Sequence, residues 1–291
     1  MTIKIDPKEV STGKFHGMML GAIAPRPIAF ASTVDKEGNV NLSPFSFFNC
    51  FGTNPPILIF SPARRVRDNT TKHTLENVLE HPEVVINIVN YATVEQMSLA
   101  STEYDKGINE FVKSGLTPVQ SEKVKPPRVK EAPAAFECKV NEVIPLGEEG
   151  GAGNLIICEV VLMHVKENIL DIEGRIDPQL LDAVGRMGGD YYCRASGESV
   201  FEVAKPTRHK GIGIDQLPEH IRNSAVLTGN DLGKLGNTEL SAIPDAGAIQ
   251  EFAKNIQTKT EQEIHIMAKE FLSHGDVESA WKALLYSTES K

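Results

Sequence analysis

Side chains alternate through "PIAFASTV", with Ile28, Phe30, Ser32 and Val34 on one face and Ala29, Ala31 and Thr33 on the other, the period-two signature of a strand. The following "DKEGNV" carries Gly38-Asn39, which predicts a hairpin turn. Short apolar runs bounded by proline and asparagine, "PPILIFS" (Pro55–Ser61) and "EVVINIV" (Glu83–Val89), predict buried strands. Two more, "AFECKVNEVI" and "NLIICEVVLMHV", flank the turn-rich "PLGEEGGAG". About five or six strands at this spacing, with only short helices between, predict a mainly β (α+β) fold closed into a barrel rather than a parallel α/β sheet.

Two helices interrupt the strands. The first starts near Thr71, carries Leu75, Val78 and Leu79, and stops at His81-Pro82, because proline cannot continue the pattern. The second starts at Thr93, where T-x-x-Q to Gln96 has the form of a capping box. Asn41–Pro56 reads as a connection between strands, and "SEKVKPPRVKEAP" as a proline-broken connector. From about Phe201 the character changes. The turn-rich "KPTRHKGIGIDQLPEHIRNSAVLTGNDLGKLGNTELSAIPD" holds too much Ile, Leu and Val for a linker. Ile249, Phe252 and Ile256, then Ile264, Met267 and Phe271, follow at helical spacing, and Val277, Ala280, Trp281, Leu284 and Leu285 form a second series after Gly275. The expected organisation is a barrel domain over 1–200 and a C-terminal extension over 201–291, with turns and two amphipathic helices that pack on a core or a partner subunit.

Composition narrows the function classes. Hydrophobic content of 41% with 24% charged residues is ordinary for a globular chain. A net charge of -9 argues against general nucleic-acid or anionic-membrane binding, which needs a basic face. No apolar run approaches the roughly 18 to 20 residues of a membrane span. The start "MTIKIDPKEV" lacks a basic segment followed by an apolar one, so a cytoplasmic location is expected. Cysteines 50, 138, 158 and 193 form no C-x-x-C pair, and Cys158 in "LIICEVV" reads as a small core residue. The scattered histidines include no H-E-x-x-H, and His164, at the end of an apolar strand, reads as a satisfied core or rim residue. Neither G-x-x-x-x-G-K-[ST] nor G-x-S-x-G occurs, and "GIGID" at Gly211 lacks the strand-then-helix setting of a dinucleotide fingerprint.

Against that acidic background, "SPARRVRDNTTKHTLENV" (Ser61–Val78) stands out, with Arg64, Arg65, Arg67 and Lys72 just before a predicted helix. One reading is a solvated basic turn in which Thr70 or Thr71 caps the helix. The other is an anion seat, with helix amides, the hydroxyls of Thr70, Thr71 and Thr74, and the Arg64, Arg67 and Lys72 charges converging on one group. "NLSPFSFFNCFGTNPP" (Asn41–Pro56) also has two readings. It is an ordinary connection with a core Phe cluster, or a wall for a flat polar ring, with Ser43, Ser46 and Asn49 facing its heteroatoms and Phe side chains its apolar edge. Ring plus phosphate describes a nucleotide-type cofactor. "GRMGGDYYCR" (Gly185–Arg194) is a flap over a ligand or a plain turn.

Taken together, "PRPIAFASTVDKEGNVNLSPFSFFNCFGTNPPILIFSP" and "KHTLENVLEHPEVVINIV" resemble the flavin reductase-like family of FMN-binding split β-barrels. "NEFVKSGLTPV", "APAAFECKV", "IICEVVLMHV" and "GRMGGDYY" extend the match in consistent order over about residues 15 to 200. The resemblance implies a homodimer with FMN held non-covalently near the subunit interface. It implies that Ser32–Thr33 and the segment Ser43 to Phe47, including Phe45 and Ser46, meet the isoalloxazine, largely through backbone amides. Asn49 and Ser61 complete the expected set of cofactor contacts. The family's Lys-Asp-Thr phosphate motif matches Lys72-His73-Thr74, with His in place of Asp. That departure leaves two candidate phosphate sets, Lys72 with Thr74, or Arg64, Arg67 and Asn69. The implied activity is electron transfer from NAD(P)H to flavin, with onward delivery to free flavin or an electron-acceptor protein. A flavoredoxin-like carrier without a nicotinamide site, and a non-redox ligand-binding barrel, are the alternatives.

Overall fold

The computed structural model describes residues 1–207, 210–254 and 258–289. The chain divides into two compact units, Met1–Phe201 and Glu202–Lys291.

The strands of the first unit are β1 (Ala29–Val34), β2 (Val40–Phe45), β3 (Phe48–Thr53), β4 (Pro56–Phe60), β5 (Glu83–Ile88), β6 (Pro118–Val119), β7 (Arg128–Val129), β8 (Ala134–Pro145), β9 (Asn154–Val165), β10 (Val184–Arg186) and β11 (Tyr192–Arg194). Seven of them form one sheet in the order β2-β1-β5-β8-β9-β4-β3, every pair antiparallel. The edge strands β2 and β3 are consecutive in sequence and joined only by Ser46 and Phe47, so the sheet must curl until its edges meet. Phe45 of β2 accordingly lies 5.5 Å, ring to ring, from Phe60 of β4 at the far end of the strand order. One interior cluster gathers Ala29, Ala31, Phe45, Leu58, Phe60, Val84, Ile86, Cys138, Ile156 and Cys158. Burial pushes the Cys138 thiol up to about 12 and raises the Cys158 thiol well above its ordinary value, which keeps both as inert core groups.

Helices α1 (Thr12–Ala22), α2 (His73–Glu80), α3 (Val94–Leu99), α4 (Glu110–Ser114) and α5 (Pro178–Leu181) complete this unit. Leu75 and Val78, three residues apart, bring α2 onto the barrel interior. The outer face of β1, through Ile28 and Phe30, packs with Met97 and Phe111 of α3 and α4. That is why every position of β1 is buried although its sequence alternates.

Several expectations change. Asn41–Pro56 is not a loop but β2, a two-residue turn and β3. Pro44 is tolerated because β2 is an edge strand, with no second ladder to break. Thr93 is the N-cap residue of α3, as the T-x-x-Q pattern predicts, but its side chain makes no cap hydrogen bond and its hydroxyl donates instead to the Asn90 carbonyl. The connector after Ser121 contains β7, paired with β6. Gly185–Arg194 lies within the β10–β11 hairpin. His164 is satisfied, as expected, by Glu137 Oε1 at 2.7 Å.

In the second unit, α6 (Glu219–Arg222) and α7 (Gly229–Gly236) precede three helices where two are expected: α8 (Ala246–Ala253), α9 (Glu261–Ser273) and α10 (Val277–Glu289). Ile256 lies outside the described residues. Thr260 and Glu263 cap α9 reciprocally, and Gly275, at φ 80°, reverses the chain into α10. Ile264, Ala268, Leu272, Trp281 and Leu284 meet Ile221 and Leu235 in one core.

Candidate functional site

The basic segment leaves β4 at Ser61 and is folded by its own side chains. Arg64 is spent on shape: its Nε donates to Asn69 Oδ1 at 2.6 Å and its Nη2 to the Asn69 carbonyl at 2.8 Å. Asn69 sits at φ 56°, a conformation that asparagine tolerates, and reaches across to the Glu148 carbonyl. Asp68 accepts from Thr70, whose hydroxyl, with Arg67, holds its carboxyl at about 2. Thr71 donates to Glu76. Neither threonine caps α2, whose N-cap residue is Lys72.

Three cations remain on the outer side of this loop, and all three converge on one carboxylate. Glu103 accepts from Arg65 Nε at 2.9 Å, Lys72 Nζ at 3.1 Å and Arg67 Nη2 at 3.3 Å. Arg65 and Lys72 together hold the Glu103 carboxyl at about 2. Arg65 is the best enclosed, 16% exposed, and also donates to Thr70 Oγ1 and the Thr71 carbonyl. Arg67 is 74% exposed and adds charge rather than order. The arrangement is a seat of three cations with a carboxylate of the same chain in it.

A cavity of about 510 Å³ opens beside the seat, lined on its polar side by Arg65, Arg67, Lys72 and Glu103, and on its apolar side by Phe15, Met19 and Val66. The volume and the mixed lining suit a ligand of cofactor size. Helix α1 forms one wall, and its C-terminal carbonyls of Leu20 and Ile23 accept from the buried Arg26 guanidinium, which also reaches Met187. Burial, with Arg186 nearby, lowers the Arg26 pKa. The turn between β8 and β9 closes against the loop: a Cβ on Gly150 would meet the Arg65 and Val66 carbonyls at 3.1 Å.

The β2–β3 turn joins the same neighbourhood. The Phe47 carbonyl accepts from the Ser61 amide at 2.9 Å, and the Phe47 ring lies edge-on to His16, a cavity-lining residue, at 6.2 Å. Ser46 accepts from Arg26 Nε at 3.4 Å. Thus Ser46, Phe47, Ser61 and the basic loop form one continuous region, with the half-buried Ser43 on β2 and the exposed Asn49 on β3 leading away from it.

Other nominated residues are placed inside. Ser32 and Thr33 are both 0% exposed; Thr33 accepts from Asn77, while the Ser32 hydroxyl is buried without a partner. Thr74 is buried and accepts from Asn41 Nδ2, so its hydroxyl serves the junction of α2 with β2. Phe45 belongs to the barrel interior. Three groups that shape the site carry no local sequence signal: Glu103, thirty-one positions after Lys72, the wall helix α1, and Gly150. Among the described residues, no group of three or more His, Cys, Asp or Glu is placed to hold a metal ion.

A seven-stranded antiparallel sheet curled so that its edge strands are joined by a two-residue turn defines a split-barrel class of protein. The chain belongs to the flavin reductase-like domain family, whose model matches residues 20–187. An uncharacterised protein from Aquifex aeolicus is 39% identical over 196 residues, 67% of this chain and 97% of its own length. Nitrilotriacetate monooxygenase component B from Bacillus cereus superposes with a TM-score of 0.65 at 34% identity, over 70% of this chain and 99% of that one. A split-barrel chain from Shewanella frigidimarina superposes at 0.59 with 28% identity, over 70% and 100%. The family match ends before the second unit begins. Among the described residues, no helix is long and apolar enough to cross a membrane.

Proposed function

We propose that this chain binds FMN and reduces it with NADH or NADPH, working as a homodimer and passing electrons to free flavin or to a partner protein. The observation that carries the reading is the Arg65–Arg67–Lys72 seat, joined through the Phe47–Ser61 hydrogen bond to the turn that the family resemblance assigns to the flavin ring. A flavin held there would supply the redox chemistry between nicotinamide and acceptor.

The residues of the chain do the rest. Arg65, Lys72 and Arg67 hold the phosphate, and Arg64 with Asn69 fixes the loop that presents them. Ser43, Ser46, Phe47 and Asn49 meet the ring through amides and hydroxyls. Ser32, Thr33, Thr74 and Phe45 act from inside, setting the position of the strands. Donors fixed along β2 and its turn favour the electron-rich ring without reorganising during the reaction. No side chain need act as acid or base. The exposed edge β3, with Phe51 at 65% exposure, supports the dimer reading, since an open apolar edge invites a second copy. The name of the B. cereus structure, a monooxygenase component B, supports delivery of reduced flavin to a partner enzyme.

Steady-state oxidation of NADH and NADPH in the presence of added FMN tests the proposal. Turnover with one or both is expected. Tight FMN binding without nicotinamide oxidation would replace it with a flavoredoxin-like carrier. A colourless protein with no flavin affinity would leave only a non-redox barrel.

A further inference from the structure

We infer that Glu103 is a built-in stand-in for the flavin phosphate, a resident anion that the incoming phosphate must displace, and so a determinant of flavin affinity and selectivity. The inference rests on the flavin reading above. The carboxylate makes with Arg65 Nε, Lys72 Nζ and Arg67 Nη2, at 2.9, 3.1 and 3.3 Å, the contacts that a phosphate oxygen would make. Arg65 and the backbone that carries Lys72 are held by other residues. Arg65 is anchored to Thr70 and Thr71, Gly150 closes on the carbonyls of Arg65 and Val66, and Lys72 is the N-cap residue of α2. Arg65, the best enclosed of the three cations, therefore keeps its place without Glu103. Glu103 is 40% exposed and lies in the irregular segment between α3 and α4, from which its side chain can swing into water.

Two consequences follow. With its own anion in place, the seat keeps the cations ordered and partly neutralised, which lowers its attraction for phosphate-bearing molecules in general. A ligand that also fills the apolar side of the cavity, Phe15, Met19 and Val66, gains enough contact to evict the carboxylate, whereas inorganic phosphate does not. The residue thus exchanges raw affinity for selectivity, by placing an unfavourable charge against every anion that lacks the ring.

The test is titration of FMN and of riboflavin, its phosphate-free counterpart, into the full-length wild-type protein and Glu103→Gln, followed by flavin fluorescence. Glu103→Gln is expected to bind FMN roughly fivefold more tightly, the scale of a few half-exposed ion pairs released, with riboflavin affinity unchanged. Inorganic phosphate should compete with FMN in the variant at concentrations that leave the wild type unaffected. Unchanged or weaker FMN binding in the variant, beside intact riboflavin binding, overturns the inference and makes Glu103 a brace for the cations. Equal tightening of both flavins also overturns it, because the effect is then not at the phosphate. Failure of both proteins to bind either flavin overturns the flavin reading and this inference together.

Discussion

Replacing Lys72 by Met keeps most of the aliphatic stem and removes the charge, so it isolates one electrostatic contact in the seat. Lys72 Nζ lies 3.1 Å from the Glu103 oxygen that marks the anion position, and its side chain is 31% exposed. In water such a contact contributes about 1 kcal/mol, and in partly enclosed surroundings more. Solvent screening and the entropy of holding a lysine in place pull the value back toward the surface range. A loss of about 1 to 1.5 kcal/mol follows, close to tenfold in Kd for FMN. Riboflavin has no phosphate, so its affinity should not change. The difference between the two flavins should also shrink at high salt, because the contact is only half enclosed. Fluorescence titration of both flavins, at low and high ionic strength, measures all three quantities. Equal weakening of FMN and riboflavin, or no weakening of either, would refute the assignment of Lys72 to the phosphate.

Three further perturbations probe other parts of the account. Glu137 is fully buried and accepts from the Glu122 amide at 2.9 Å, the Lys123 amide and His164, so Glu137→Ala strands these donors and should cost about 3 kcal/mol in urea unfolding; a loss under 1 kcal/mol would contradict it. His265 is buried, its Nδ1 lies 2.6 Å from Ser224 Oγ and its Nε2 has no partner; burial first, then the nearby His220, lowers its pKa against the opposing pull of Glu261. A lowered folded-state value means that the unfolded chain takes the proton first, so stability is present above about pH 6.5 and falls as pH drops below it. Trp281, the one tryptophan, sits in the core of that unit, and its fluorescence should report melting that is acid-sensitive in the wild type and less so in His265→Gln. Phe51→Glu places a charge on the exposed β3 edge and should shift sedimentation from dimer toward monomer; an unchanged dimer would move the interface elsewhere.

Much of the barrel is legible in the sequence because its signals are local. The Gly38-Asn39 turn does link β1 to β2, with Val34 opposite Val40. The α2 boundary at His81-Pro82 follows from proline chemistry, and the long β8–β9 hairpin from its Gly-rich turn. The misreadings have equally local causes. Pro44 and the polar Ser-Asn content disguise β2 and β3, whose ladders need only one partner each at the sheet edges. In α1, "TGKFHGMMLGA", glycines interrupt the apolar face and none of its residues is buried, so periodicity gives little to read. The basic loop shows its charge in the sequence but not its division of labour. Arg64 turns inward to Asn69 while Arg65, not nominated from the sequence, becomes the central cation. Glu103 lies far along the chain from Lys72, and only tertiary structure brings the pair to 3.1 Å. Ser32, Thr33 and Thr74 carry the right chemistry, but their burial is decided by packing on both faces of β1 and by the junction of α2 with β2.

The most direct test of the central claim is anaerobic stopped-flow mixing of the FMN-loaded protein with NADH and, separately, with NADPH. The account predicts that the visible absorption of the oxidised flavin bleaches with at least one nicotinamide and returns when oxygen or an electron acceptor is admitted. A flavin that stays fully oxidised with both would contradict it.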